Sequence, residues 1–278
     1  MARSARSAGT VTRTQVAESP SIAVHRALGM LEAISKSGAG LSNSELSRKL
    51  KVPKSSTSYI LRALEAGGYV RREPDGKYRL GLALLSLSSR AMESLDVRQI
   101  ALPILQHLVE RSGLTAHLAV LDHGQAVYIA KADAPGFIKM NTWPGRRMNL
   151  HSTSVGKALL AWLSEEEVQG ILEKGMKKWT PHTIATPAKL FADLEHIRRR
   201  GYAVDEQEST LGIRCVAAPV FGAQGVAASI GLTGTVTQFH ASEIHRFAEM
   251  VKDAARRVSL QLGGSAPSSS SARTASAH

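Results

Sequence analysis

The chain is 278 residues long and 43% hydrophobic, with 35 Lys and Arg against 23 Asp and Glu for a net charge of +12. That length suggests about two domains, each large enough to bury its own core. No apolar run approaches the roughly 18 residues of a membrane span, and the single cysteine, Cys215, excludes an internal disulfide framework and fits a reducing cytoplasm.

Residues 1–20 carry Arg3, Arg6 and Arg13 among Ser, Ala and Thr and read as a disordered basic tail that lacks the apolar face of a targeting peptide. A helix is expected over 21–36, with Val24, Ala27, Leu28, Leu31 and Ile34 on one face. Ser42 and Glu45 then form a capping box ahead of a short helix carrying Leu46 and Leu50 inward. Pro53 suits the first position of a third helix, whose exposed first turns hold Lys54, Ser55, Ser56, Thr57 and Ser58, with Tyr59, Ile60, Ala63 and Leu64 as its apolar stripe. Gly67 and Gly68 stop it. From 69 to 80 the chain alternates and turns on Asp75-Gly76, and the arms of this hairpin bear Arg71, Arg72, Lys77 and Arg79.

Residues 21–81 thus have the layout of a winged helix-turn-helix, a helix for the major groove with a basic ribbon beside it. The competing reading, a small helical subdomain with a solvated charged face, does not account for four aligned signals. Charge distribution agrees. Residues 21–95 carry twelve Lys and Arg against six Asp and Glu, whereas 96–278 carry twenty against sixteen. Such a field steers association with a polyanion. Ser44, Lys54, Ser55, Ser56, Thr57 and Tyr59 are candidates for base-edge or groove contact, and Arg26, Arg62, Arg71, Arg72, Lys77 and Arg79 for phosphate.

A connecting helix is expected within 82–95, and another from Asp96 with Val97, Ile100, Ala101, Ile104, Leu105, Leu108 and Val109 on one face, bent or broken at Pro103 and ended by Gly113. Strands follow at 115–121, 125–132 and 137–143. Helices are expected at 154–163, at 165–174 behind the Ser164/Glu167 capping box, and at 187–200 between Thr186 and Gly201. Strands at 215–221 and 226–233 should pair antiparallel across Gly222-Ala223-Gln224-Gly225. A final helix spans 242–262 with Ile244, Phe247, Ala248, Val251, Ala254 and Val258 inward, and the Ser/Ala-rich residues 263–278 read as a disordered tail. The alternation of strands and helices over 96–262 suggests one sensor domain of mixed α and β structure.

Residues 21–262 resemble the IclR-type (isocitrate-lyase regulator) family of bacterial transcription factors. The head is similar in Arg26-Ala27-Leu28, in Pro53-Lys54-Ser55-Ser56 and in Gly68-Tyr69-Val70. The larger domain carries two long signatures in order. The first is Leu150-His151-Ser152-Thr153-Ser154-Val155-Gly156-Lys157-Ala158; the second runs from Gly201-Tyr202-Ala203-Val204-Asp205-Glu206 to Gly212-Ile213-Arg214-Cys215-Val216-Ala217-Ala218-Pro219-Val220-Phe221. The resemblance implies an α+β multidomain chain: a winged helix-turn-helix, a connecting helix, and a GAF-like effector domain with an antiparallel sheet. It also implies a homodimer or dimer of dimers on double-stranded, pseudo-palindromic operator DNA, and a small-molecule effector such as an organic acid. Carried over by position, the effector pocket falls on Ser154 and Val155 through their N–H groups, on Asp205, Cys215, Gly231 and Thr233, and on Met148 and Leu150 as apolar lining. Gly231 stands where many relatives have a hydroxyl residue and Asn149 where proline is usual, so a ligand larger or less polar than a two- or three-carbon keto acid is expected. Tyr59 replaces an Arg common in the recognition helix, so the operator is this chain's own.

Other classes compete. Cys215 and His151 could form a nucleophile and base, but Cys215 opens an apolar strand, where cysteine is usually an inert small hydrophobe. A sensor with a protein partner and a nucleoid protein without sequence preference are further alternatives. The ten histidines show no metal-ligand spacing, so no resident metal or cofactor is expected. Arg198-Arg199-Arg200 reads as a solvated face that complements the end of a helix dipole rather than as a second nucleic-acid patch.

Overall fold

The computed structural model describes residues 22–93, 96–137 and 139–265. The tail at 1–20 lies outside them, as do residues 266–278. Contacts divide the chain into two units, one ending at Arg90 and the other beginning at Ala91.

The first unit runs α1 (Ile22–Ser35), β1 (Leu41–Ser42), α2 (Asn43–Leu50), α3 (Lys54–Ala66), β2 (Val70–Arg72) and β3 (Lys77–Leu80). The Ser42/Glu45 capping box forms as the sequence requires, and the hydrogen bond from the Ser42 N–H holds the Glu45 carboxyl below its ordinary value. The core is Met30, Ala33, Ile34, Leu46, Val52, Ile60, Leu61, Val70 and Tyr78. Two expected stripes are rotated from where periodicity places them. Val24 and Leu28 are exposed, because α2 and α3 cover the overlapping α1 face that bears Met30 and Ala33. On α3 the inward set is Thr57, Ile60 and Leu61, while Tyr59 is 70% exposed and Ala63 faces outward. β1, too short for any alternation to show, pairs antiparallel with β3 and completes a three-stranded sheet in the order β1-β3-β2.

α4 (Ala83–Glu93) is the expected connecting helix, and α5 (Asp96–Ser112) opens the larger domain. α5 runs unbroken through Pro103, held by the burial of Ala101, Ile104, Leu105 and Leu108. The remaining elements are β4 (Thr115–Asp122), β5 (Gln125–Ala132), β6 (Arg147–Met148), α6 (Ser154–Leu160), α7 (Glu165–Leu172), α8 (Pro187–Arg200), β7 (Ala203–Glu206), β8 (Ile213–Gly222), β9 (Gly225–Thr235) and α9 (Ile244–Gln261). All strand pairs in the sheet β6-β5-β4-β9-β8-β7 are antiparallel.

Because strand side chains alternate faces, the sheet serves two cores. Ala116, Leu118, Val216, Ala218, Ile230 and Leu232 pack with α5 and α9. Ala119, Tyr128 and Ala217 face Leu159 and Leu160 of α6, Val168 of α7 and Leu190 and Leu194 of α8.

The described residues of 137–143 do not form the expected strand. Gly136 and Gly145 take φ of +95° and +91°, Pro144 intervenes, and the segment is instead stitched to β5 by Lys131 Nζ donating to the Met140 carbonyl and by the Gly145 N–H donating to that of Tyr128. The tail expected from 263 begins ordered, since Gly263 bridges to Gly222 and the Gly264 N–H donates to the Ser259 carbonyl. No helix among the described residues is long and apolar enough to cross a membrane.

Candidate functional site

The outer face of the first unit is built by α3 and the β2–β3 hairpin. Lys54, Ser55, Tyr59 and Arg62 are exposed on α3, and Arg26 of α1 joins Ser55, Ser56 and Tyr59 around one shallow cleft. Ser44 is half-buried near the start of α2. Thr57 is not on this face. Its side chain is fully buried and its hydroxyl donates to the Pro53 carbonyl at 3.1 Å, so the expectation of a groove contact there is corrected. A polar residue in the first turn of a helix looks like an outward donor until a partner for its hydroxyl is found.

The wing turns at Glu73-Pro74-Asp75-Gly76, with Gly76 at φ +77° and the Lys77 N–H donating to Asp75 Oδ1 at 3.0 Å. Arg71 and Arg79 stand opposite each other, and Glu73 neutralises the repulsion by reaching both, at 3.1 and 3.6 Å. Arg79 also donates to the Gly38 carbonyl, Arg72 lies over the Tyr78 ring and Lys77 is half-buried. Arg71 and Arg72 are the more exposed cations of the ribbon.

In the larger domain a cavity of about 420 Å³ opens on the α6 face of the sheet, lined by Met148, Ser154, Asp205, Cys215 and Thr233 among the sequence candidates. Tyr128, Lys139, Thr142, Arg146, Ser209 and Thr210 line it as well, and these were not legible from the sequence. Leu150, Val155 and Gly231 lie beneath the lining. Leu150 is buried against Gly156, where an added Cβ would stand 2.5 Å from the Leu150 backbone. The glycine at 231 opens no space, because Val155 Cγ1 lies 2.9 Å from where its Cβ would be; the expectation of a roomier pocket at that position is corrected.

The first signature is largely a device for seating α6. Thr153 caps the helix by accepting the Gly156 N–H, and the N–H groups of Ser154 and Val155 in its first turn have no acceptor among the described residues. Lys157, 1% exposed, donates to Glu208 Oε1 at 2.6 Å and Asp193 Oδ2 at 2.8 Å, joining α6 to α8 and to the turn after β7. His151 Nε2 meets the Lys177 carbonyl at 3.0 Å.

Asp205 is fully buried, and burial raises its carboxyl to about 6 against the pull of its hydrogen bonds. Those bonds come from the Ser209 hydroxyl and the N–H groups of Glu208 and Ser209, so both oxygens are engaged in shaping the turn. Burial, then the neighbouring Asp205, pushes the Cys215 thiol up, which keeps it protonated and no nucleophile. His117 stacks on Tyr128 at 4.4 Å, and Thr142 Oγ1 lies 2.7 Å from its Nε2. Burial lowers His117 to about 3, leaving a neutral ring. Lys139 and Arg146 bring positive charge to the lining, Arg146 stacked on Trp143. No group of three or more His, Cys, Asp or Glu among the described residues could hold a metal.

A winged helix-turn-helix followed by a sheet domain with a polar, cationic cavity is the plan of a ligand-responsive DNA-binding regulator. Residues 23–74 match the IclR helix-turn-helix domain, and residues 89–260 match the bacterial transcriptional regulator IclR C-terminal domain. The chain belongs to the IclR family of bacterial transcriptional regulators, with a helix-turn-helix DNA-binding domain and a ligand-binding C-terminal domain. It is 34% identical over 243 residues to the HTH-type transcriptional regulator XynR of Escherichia coli K12, covering 86% of this chain and 96% of XynR. It is 32% identical over 251 residues to the transcriptional repressor AllR of the same strain, covering 89% and 93%. The crystal structure of Thermotoga maritima IclR is 33% identical with a TM-score of 0.71, over 86% of this chain and 98% of that one. An IclR homologue from Microbacterium hydrocarbonoxydans, solved with 4-hydroxybenzoate, shares the fold at 24% identity and a TM-score of 0.77, over 87% and 99%.

Proposed function

We propose that the protein represses a catabolic or metabolic operon by binding a pseudo-palindromic operator as a homodimer or dimer of dimers, and that a small organic acid held in the 420 Å³ cavity changes its operator affinity. The observation that carries this reading is the convergence of Arg146, Lys139 and the amino end of α6 on one cavity, a cationic lining suited to a carboxylate. Its volume lies within the range of small-molecule sites and exceeds the needs of a two- or three-carbon keto acid. Exposed Ile22, Val24 and Leu28 on α1, and Leu82, Leu85 and Leu87 at and within α4, form apolar surface that fits pairing with a second copy. A two-fold protein in turn suits two half-sites. The relative AllR is a repressor by name.

The head has its contacts in Arg26, Ser44, Lys54, Ser55, Ser56, Tyr59 and Arg62, with Arg71, Arg72, Lys77 and Arg79 on the wing. The ligand acts by favouring one arrangement of the paired heads, since equal affinity for both shifts nothing. Mapping the protein's own genomic sites yields the operator, and the neighbouring genes nominate the acid. With that operator, Asp205→Ala and Thr233→Val are expected to lose the ligand response while still binding DNA. Normal responses from both would place the effector elsewhere.

A further inference from the structure

The larger domain holds a second and more spacious cleft, about 760 Å³, that shares no lining residue with the first. It exists because β7 begins only at Ala203. β7 pairs only with Arg214–Ala217 of β8, and β8 continues to Gly222, so beyond Ala217 its edge has no strand beside it. Pro219 stands on that edge without an N–H, which blunts it against an added strand and leaves a groove rather than a pairing site.

Two helices close the groove. The last turn of α8 supplies Arg198, Arg199 and Arg200, and α9 supplies Lys252 and Arg256, against Glu249 and Asp253 as the only carboxylates of the lining among the described residues. The back wall is apolar, with Trp162 set edge-on to Phe221 at 5.0 Å beside Pro219 and Ala255.

A helix dipole explains cations at the end of α8, but not Lys252 and Arg256 within α9. Their pairs with Glu249 and Asp253 are exposed contacts of the i, i+3 kind, as is the i, i+4 pair of Arg199 with Glu195, and such pairs are weak enough to exchange for a bound anion. Arg198 donates only to the Ala161 carbonyl, and among the described residues no carboxylate pairs with it. The buried Trp162 Nε1–H has no acceptor among the described residues.

We infer that this cleft is a second ligand site, taking a multiply charged organic anion with a flat apolar body, a nucleoside phosphate or a compound of like chemistry. The apolar wall takes the body, and the guanidinium groups of Arg198 and Arg256 take the charge. The site does not rest on the assignment of the first cavity, so the protein has two inputs.

The test is calorimetric titration of the full chain with adenosine monophosphate, adenosine and inorganic pyrophosphate, on wild type, on Arg198→Gln with Arg256→Gln, and on Thr233→Val. The nucleotide is expected to bind wild type and Thr233→Val alike. The paired arginine variant is expected to weaken it by roughly tenfold or more, as two charge-assisted contacts are lost, and adenosine should bind more weakly than its phosphate by a similar factor. Weaker binding of pyrophosphate than of the nucleotide supports the role of the apolar wall. Saturation absent for all three probes up to about 10 mM, beyond the millimolar range of useful affinity, would overturn the site. So would binding lost in Thr233→Val, or an arginine variant that binds nucleotide normally but has lost affinity for operator DNA, which would make this face a nucleic-acid contact.

Discussion

Val155 Cγ1 of α6 lies 2.9 Å from the position a Cβ would take on Gly231 of β9, and the Ala217 methyl and Val216 carbonyl crowd the same point at 3.2 Å. α6 therefore rests directly on the sheet, and its amino end is held at the edge of the cavity. Gly231→Ala is expected to destabilise the protein by about 1–2 kcal/mol through overpacking. Adding Val155→Ala should recover part of that loss. Urea denaturation of the single and double variants measures both; a single variant as stable as wild type would mean that α6 shifts at no cost.

Lys157 ties α6 to Glu208 and Asp193 while almost entirely out of water. Removing it leaves the buried Glu208 carboxylate without its cation and Asp193 with Arg200 alone, at 3.8 Å, and breaking a buried pair costs roughly 3–5 kcal/mol. Lys157→Met should therefore lower the denaturation midpoint far more than Lys252→Met, whose partner Glu249 is solvent-exposed. Equal losses would show that the buried pairs contribute nothing beyond a surface one.

On the head, Thr57 and Lys54 separate stability from recognition. Thr57→Val removes the buried hydroxyl bond to Pro53, at a cost of about 1 kcal/mol, and should leave the operator affinity of the folded protein unchanged. Lys54→Ala should weaken operator binding with no change in stability. On the wing, Arg71→Ala with Arg72→Ala should weaken binding to every duplex and flatten the salt dependence by up to about two units. Anisotropy titrations across a salt series measure all of these, and an unchanged slope would remove the wing from the interface.

Elements whose signals are local were readable from the chain alone. α8 begins at Pro187 and stops before Gly201 as its sequence implies, and both capping boxes close. β1 and β6 were not readable, because two residues carry no period and their pairing depends on distant partners. The burial of Thr57 and the turn of the α1 stripe toward Met30 are decided by what packs against each helix. The cavity is the extreme case. Tyr128, the loop bearing Thr142 and Arg146, and Thr210 come from three places on the chain, and nothing near any of them announces the others. Met148, Ser154, Asp205, Cys215 and Thr233 are legible through resemblance to the family, which also points to Leu150, Val155 and Gly231, residues that shape the cavity from beneath.

Two buried groups at the cavity make stability depend on pH in opposite senses. Burial raises Asp205 from 3.8 to about 6, so the folded protein holds this proton more tightly than the unfolded chain. Its contribution is most favourable below about pH 4 and is lost as pH rises toward 6, an effect on the order of 3 kcal/mol. His117 runs the other way. Burial, then the Lys131 charge, lowers it from 6.5 to about 3, so the unfolded chain takes up the proton first and stability is lost as pH falls from 6.5 toward 3. Asp205→Asn, whose amide oxygen can still accept from the turn, is expected to be more stable than wild type above pH 6 and to lose that advantage near pH 4. His117→Gln should flatten the acid side of the profile instead. Urea midpoints of the three proteins between pH 4 and 8 resolve the two contributions, and parallel curves for Asp205→Asn and wild type would show that Asp205 is ionised in the folded protein as readily as in water.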